Sequence, residues 1–113
     1  MAMATRKPED AQLAAVQTAR NLISGDISLL DGCVHLSQLS HQLVPDWRLD
    51  PDLVIFGVVA SDCDHLPLGE VRKLWSRDAL VKADAEIEKL TAFYQSRVFD
   101  ACISLIAKFS RAN

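Results

Sequence analysis

A chain of 113 residues that is 50% hydrophobic has the length of a single domain, and it can close one core without disulfides or a structural metal. With aromatics at 6%, that core has to be built mainly from Leu, Ile, Val and Ala, which suits packed helices. The net charge of −3 is unremarkable, while the lack of any run near the ~20 apolar residues of a membrane span and a start "MAMATRKPED" without an apolar segment argue against a membrane protein and a secretory leader.

The first seven residues are expected to be frayed. Pro8-Glu9-Asp10 then reads as a helix start, with Pro in the first turn and acids near the positive end of the macrodipole. Leu13, Val16, Arg20 and Ile23 fall on one face, and Ala14, Ala15 and Ala19 permit close approach. Gly25 in "ISGD" supplies the left-handed residue that ends the helix.

A second helix is predicted over residues 27–43, with Leu29, Cys33, Leu36, Ser40 and Leu43 on its inner face. Gly32 inside it costs roughly 1 kcal/mol relative to Ala. A close helix–helix contact would account for it. So short a link between the two helices predicts an antiparallel hairpin.

"VPDWRLDPD" is the clearest loop. The following "LVIFGVVA" has β-branched content that suits a strand, but no second strand candidate exists to pair with it. Asp50-Pro51 is a good N-cap followed by Pro at the first helical position, so residues 52–60 read as a buried helix.

Next comes "SDCDHLPLGEVRKLW", residues 61–75. Leu66, Pro67 and Leu68 are expected to plug the core, with Asp62 or Asp64 capping the turn and Arg72 reaching back to one of those aspartates. A short helical turn should then end at Trp75, its ring buried at the base of the last helix. From Ser76 onward there is no Gly or Pro, and apolar residues from Leu80 to Phe109 step by three or four. One helix of about 35 residues, roughly 50 Å long, is predicted. That exceeds the roughly 35 Å width of such a domain, so it either kinks or packs against a second copy. The fold expected is all-α, one domain over residues 1–113, with four to five helices and an N-terminal hairpin packed on a long C-terminal helix.

The sharpest chemical candidate is "DCDH". Asp62, Cys63, Asp64 and His65 are all competent ligands, yet adjacent positions cannot all face one point on a strand or a helix. A thiol mechanism on Cys63 with His65 would need an orienting group and oxyanion donors that the sequence does not display. His35 and His41, six apart on a helix, do not form a pair. Cys33, Cys63 and Cys102 are an odd number without a CxxC, which fits reduced thiols in a cytoplasm. No catalytic residue, metal or cofactor is assigned.

Charge is unevenly spread. Residues 41–70 hold Asp46, Asp50, Asp52, Asp62, Asp64 and Glu70 against Arg48 alone, a net −5. An acidic middle suits a basic protein partner better than nucleic acid.

"ARNLISGDISLLDGCVHLSQL", "DLVIFGVVASDCDHLPLGEVRKLW" and "DALVKADAEIEKL" together resemble a family of small bacterial helical proteins of unknown function. The likeness spans about residues 19–106, and its most specific part is Asp64, His65, Leu66 and Pro67 followed by Gly69, Arg72 and Trp75. Cys63 departs from the pattern, where polar residues are more usual. That motif reads as structural on its own chemistry, and the resemblance implies a chain like the immunity proteins that occlude polymorphic toxins. Trp47 with Asp46, Asp50 and Asp52, extended by Asp62 and Glu70, is then the expected partner-binding surface, with homodimerisation through the long helix as an accompaniment. Other functions kept open are a small metal- or thiol-dependent enzyme on residues 62–65, and an adaptor or structural subunit.

Overall fold

Helix α1 (Pro8–Ser24) carries Glu9 and Asp10 in its first turn, opposite the positive end of its dipole. The structure, a computed structural model, describes residues 8–110, so the fraying expected of residues 1–7 lies outside the described residues. Gly25, at φ +87°, stops α1 in a Schellman arrangement: its N–H donates to Leu22 O at 3.3 Å, and that of Asp26 to Asn21 O at 2.8 Å.

Ser28 then caps α2 (Leu29–Leu43), accepting from Asp31 N at 3.2 Å and donating to the Asp31 carboxylate at 2.7 Å. The two helices form the predicted hairpin, and α1 packs on the long last helix. A Cβ on Gly32 would stand 2.5 Å from Leu22 Cδ1, so the glycine is what lets the helices approach.

The inner face of α1 differs from the expected one. Ala11, Ala15, Ala19 and Leu22 are buried with Val16, whereas Leu13 is 58% exposed and Arg20 and Ile23 face outward. A short alanine face brings the backbone nearer its neighbours than a Leu/Ile face would, and that closeness decides which side turns in.

After a single 3-10 turn (Trp47–Leu49), residues 54–62 are helical: α3 spans Val54–Asp62. Asp50 organises its start, its Oδ1 accepting from Asp52 N at 2.8 Å and Leu53 N at 3.2 Å. Phe56 and Val59 enter the core, joined by Leu53 just before the helix. Burying Phe56 completely is worth about 1.5–3 kcal/mol.

A second 3-10 segment (Gly69–Leu74) leads to Ser76, whose Oγ accepts from Ala79 N at 3.1 Å and starts α4 (Arg77–Ser110). This helix has 34 residues and runs for about 51 Å. Its C-terminal half is better buried, through Tyr94, Val98, Ala101, Cys102 and Leu105, while Ala83 is the one buried residue of its first half. The architecture is all-α, the α1–α2 hairpin and α3 packing on α4. Among the described residues no helix is long and apolar enough to cross a membrane.

Candidate functional site

Helix α3 is apolar on every side, a composition that belongs to a helix surrounded by protein. Its outer side is nevertheless open: Val58 is 43% exposed, and Val54 and Ile55 are only partly covered. This ridge separates two shallow grooves. One, of about 400 Å³, runs between α3 and α4, with Asp52, Val58, Arg97, Asp100 and Ser104 among its walls. The other, of about 560 Å³, lies between α3 and the Trp47 turn, from Arg48 to Asp62.

Trp47 forms a wall of the second groove and also packs on the core. Its ring sits over Gly57, and the Arg48 guanidinium lies 5.2 Å from its centroid. Of the two roles open to this residue, a loop anchor or an exposed contact, it fills part of each: half-buried, one edge held and one edge facing the groove. Arg97 is held in the same way, 5.2 Å from the Tyr94 ring and 5.4 Å from that of Phe93, which is 68% exposed.

The six expected partner-binding residues are placed unequally. Asp52 and Asp62 stand at opposite ends of α3, one on each groove, and Trp47 lies between α3 and the exposed Asp46 turn. Asp50 turns inward instead. Its side chain is 11% exposed, one oxygen takes the two backbone N–H groups, and the other accepts from Lys108 Nζ at 3.2 Å. Burial works to raise this carboxyl, but the Asp52 N–H and the Lys108 ammonium outweigh it and hold it below its ordinary value. Glu70 lines neither groove and pairs with Lys73 at 2.7 Å. The surface is also less purely acidic than expected, because Arg48 and Arg97 stand beside the aspartates.

Residues 61–75 are a clip between α3 and α4. Leu66 and Pro67 plug the core as expected, while Leu68, expected to join them, packs against it only partly buried. Arg72 does not reach the loop aspartates. It donates instead to both oxygens of Asp84 on α4, at 2.7 and 3.0 Å, and to Pro67 O at 3.3 Å. The Arg72 guanidinium holds the Asp84 carboxyl below its ordinary value. His65 Nε2 meets Glu86 Oε2 at 2.7 Å, two residues further along the same helix. Asp62 does not cap the turn but accepts from the Tyr94 hydroxyl. Trp75, expected to be buried, is 38% exposed, because Arg72 rather than the indole fixes the segment to α4. Gly69 has φ +65°, which explains a glycine there.

These placements separate the members of "DCDH". Asp62 faces Tyr94, Cys63 points into the core, and His65 turns to Glu86. Among the described residues no three His, Cys, Asp or Glu side chains could hold one metal ion. The Cys63 thiol is buried, and burial pushes it above its ordinary value.

Sequence reasoning missed Val54, Val58, Arg97 and Asp100. A helix apolar from Val54 to Ala60 in a 113-residue chain was the available signal, since so small a domain rarely surrounds one completely. Searches among protein-family models, curated proteins and solved structures found no match to this chain.

Proposed function

We propose that this chain is a non-enzymatic protein-binding module, an immunity-like inhibitor that seats the outer face of α3 on a toxin and covers its working surface. The observation that carries the reading is the exposed Val58 ridge on a helix apolar from Val54 to Ala60, flanked by grooves that Trp47 and Arg97 line. Interfaces of this kind concentrate their energy in a few aromatic, Arg and apolar anchors. The surrounding Asp46, Asp52, Asp62 and Asp100 speed encounter with a basic partner. Arg48 and Arg97 add donors for its carboxylates or carbonyls. No bond is made or broken by this protein: it works by occupancy.

The test is genetic and structural together. Deleting the gene should be lethal only while a neighbouring toxin gene is intact, and the wild-type chain should restore growth. Val58→Asp puts a charge on an exposed position, so it should fold normally by circular dichroism and fail to protect. Cells that stay healthy without the gene beside toxin-delivering kin would overturn the inhibitor reading. Full protection by Val58→Asp would overturn the assignment to α3.

A further inference from the structure

We propose that two copies of this chain pair antiparallel along the outer face of α4, about a two-fold axis beside Ala92. This surface borders the α3–α4 groove and shares Asp100 with it, but its pairing does not depend on the function proposed for α3. The core side of α4 is marked by Ala83, Tyr94, Val98, Ala101 and Leu105. At about 100° per residue, Val81, Ala85, Ala92, Ser96, Phe99 and Ile103 share an arc of about 60°, facing away from that core except at Phe99, which packs partly against it. Val81 is 65% exposed and Ile103 58%, with Ala85, Ala92 and Ser96 exposed between them and Phe99 half-buried. A shallow groove of about 340 Å³ runs along this face, walled by Ala85, Glu88, Lys89 and Ala92, all of them α4's own residues.

A second copy is the occupant because the stripe complements itself. Turned about Ala92, residues equally distant from it meet. Ala85 then faces the exposed edge of the partner's Phe99, whose other edge packs on its own core, and Val81 faces the partner's Ile103, so branched meets branched. Ala92 meets its own copy, where a small side chain lets the helices approach. On the flank, Lys82 comes opposite the partner's Asp100, and the symmetry makes that pair twice. Among the described residues neither Lys82 nor Asp100 has an ion-pair partner within its own chain. A parallel arrangement would instead set Glu88 against Glu88 and Phe99 against Phe99.

The stripe from Val81 to Ile103 is about 33 Å long and about 10 Å wide, so it covers only about 330 Å² of each copy, well below the roughly 800 Å² per partner of a standard interface. The dimer is therefore a weak, transient one, with a dissociation constant on the order of 100 µM.

Sedimentation of the purified full chain from about 1 µM to about 500 µM should show conversion from monomer to dimer. Ala92→Arg, which places like charges together at the axis, should weaken association at least about 100-fold while leaving the circular dichroism spectrum unchanged. Lys82→Asp should also weaken it, and adding Asp100→Lys should restore it. Oxidation should link Ala92→Cys to itself. Ala85→Cys should stay unlinked to itself, because its two copies lie about 21 Å apart along the axis, yet link to a chain carrying Phe99→Cys. A monomer across the whole range, an undisturbed dimer in Ala92→Arg, or efficient self-linking of Ala85→Cys would each overturn the proposal.

Discussion

The indole of Trp47 rests on Gly57: a methyl group added to that glycine would stand 2.8 Å from both Cη2 and Cζ3. This contact couples the second groove to the body of α3. Gly57→Ala should gain up to about 1 kcal/mol of helix propensity and lose about 1–3 kcal/mol to overlap. The expected result is a net loss on the order of 1 kcal/mol, with the ring expelled from its seat. Urea unfolding measures the first effect. A red-shifted Trp47 emission in a Trp75→Phe background measures the second, and unchanged emission would mean that the ring does not lie where the structure has it.

How the elements form was legible in the sequence, because caps and breakers act locally. Gly25 and Ser76 end and begin helices through groups within a few residues of themselves, as expected, whereas α2 starts two residues later than predicted behind Ser28, and α3 starts at Val54 with Leu53 rather than Asp50 as its N-cap. What was not legible depends on the third dimension. Arg72 could be expected to seek a carboxylate, but the choice of Asp84 over Asp62 or Asp64 follows from where α4 passes. The inner face of α1 was misread for the same reason: Leu13 is more apolar than Ala15, but the crowding that favours alanine arises only when α2 and α4 are in place. The candidate site suffered most. Val58 and Arg97 are 39 positions apart, and neither signals a groove until α3 lies beside α4.

Asp50 joins the start of α3 to the end of α4, and its loss should be felt at both. Asp50→Ala removes the acceptor of two backbone N–H groups in the turn before α3 and should cost roughly 1 kcal/mol. Lys108→Ala should cost less, because the ammonium is half exposed and such pairs contribute under about 1 kcal/mol. The folded carboxyl lies below its ordinary value, so its contribution is present above about pH 4 and is lost as the pH falls through the folded value. Thermal unfolding between pH 7 and pH 2 should therefore show the gap between wild type and Asp50→Ala narrowing only below about pH 4. A constant gap would mean that the carboxylate charge contributes nothing.

Tyr94 is the only tyrosine, so its ionisation can be followed by absorbance without interference from another phenol. The hydroxyl donates to Asp62, and that bond, then burial, raises the phenol above its ordinary value. Ionising it would set two anions together at the end of α3. The stabilisation is thus complete below about pH 10 and is lost as the pH rises through the folded value. Asp62→Ala should bring the titration down toward the ordinary range, helped by Arg97, which already pulls in that direction. An unshifted curve in the variant would show that the two groups do not interact in solution.

The three cysteines give the most direct test of a thiol-based activity. Cys33, Cys63 and Cys102 are all buried. Desolvation is the largest cause in each case: it drives Cys33 far upward, raises Cys63, and pushes Cys102 up to about 12. At pH 8 a thiol with that last value is ionised in about one molecule in ten thousand, and only the thiolate attacks. Cys63 also donates weakly to Ala60 O at 3.7 Å and stands near Asp31, Asp62 and Asp64, whose charges further oppose a thiolate. Native protein at pH 8 should therefore react with an aromatic disulfide reagent only as fast as the fold opens, whereas all three thiols should react at once in denaturant. Cys63→Ser should leave the native trace unchanged. A single rapid equivalent that disappears in Cys63→Ser would reveal an accessible, activated thiol at the end of α3, and would return the residue 62–65 loop to the list of candidate active sites.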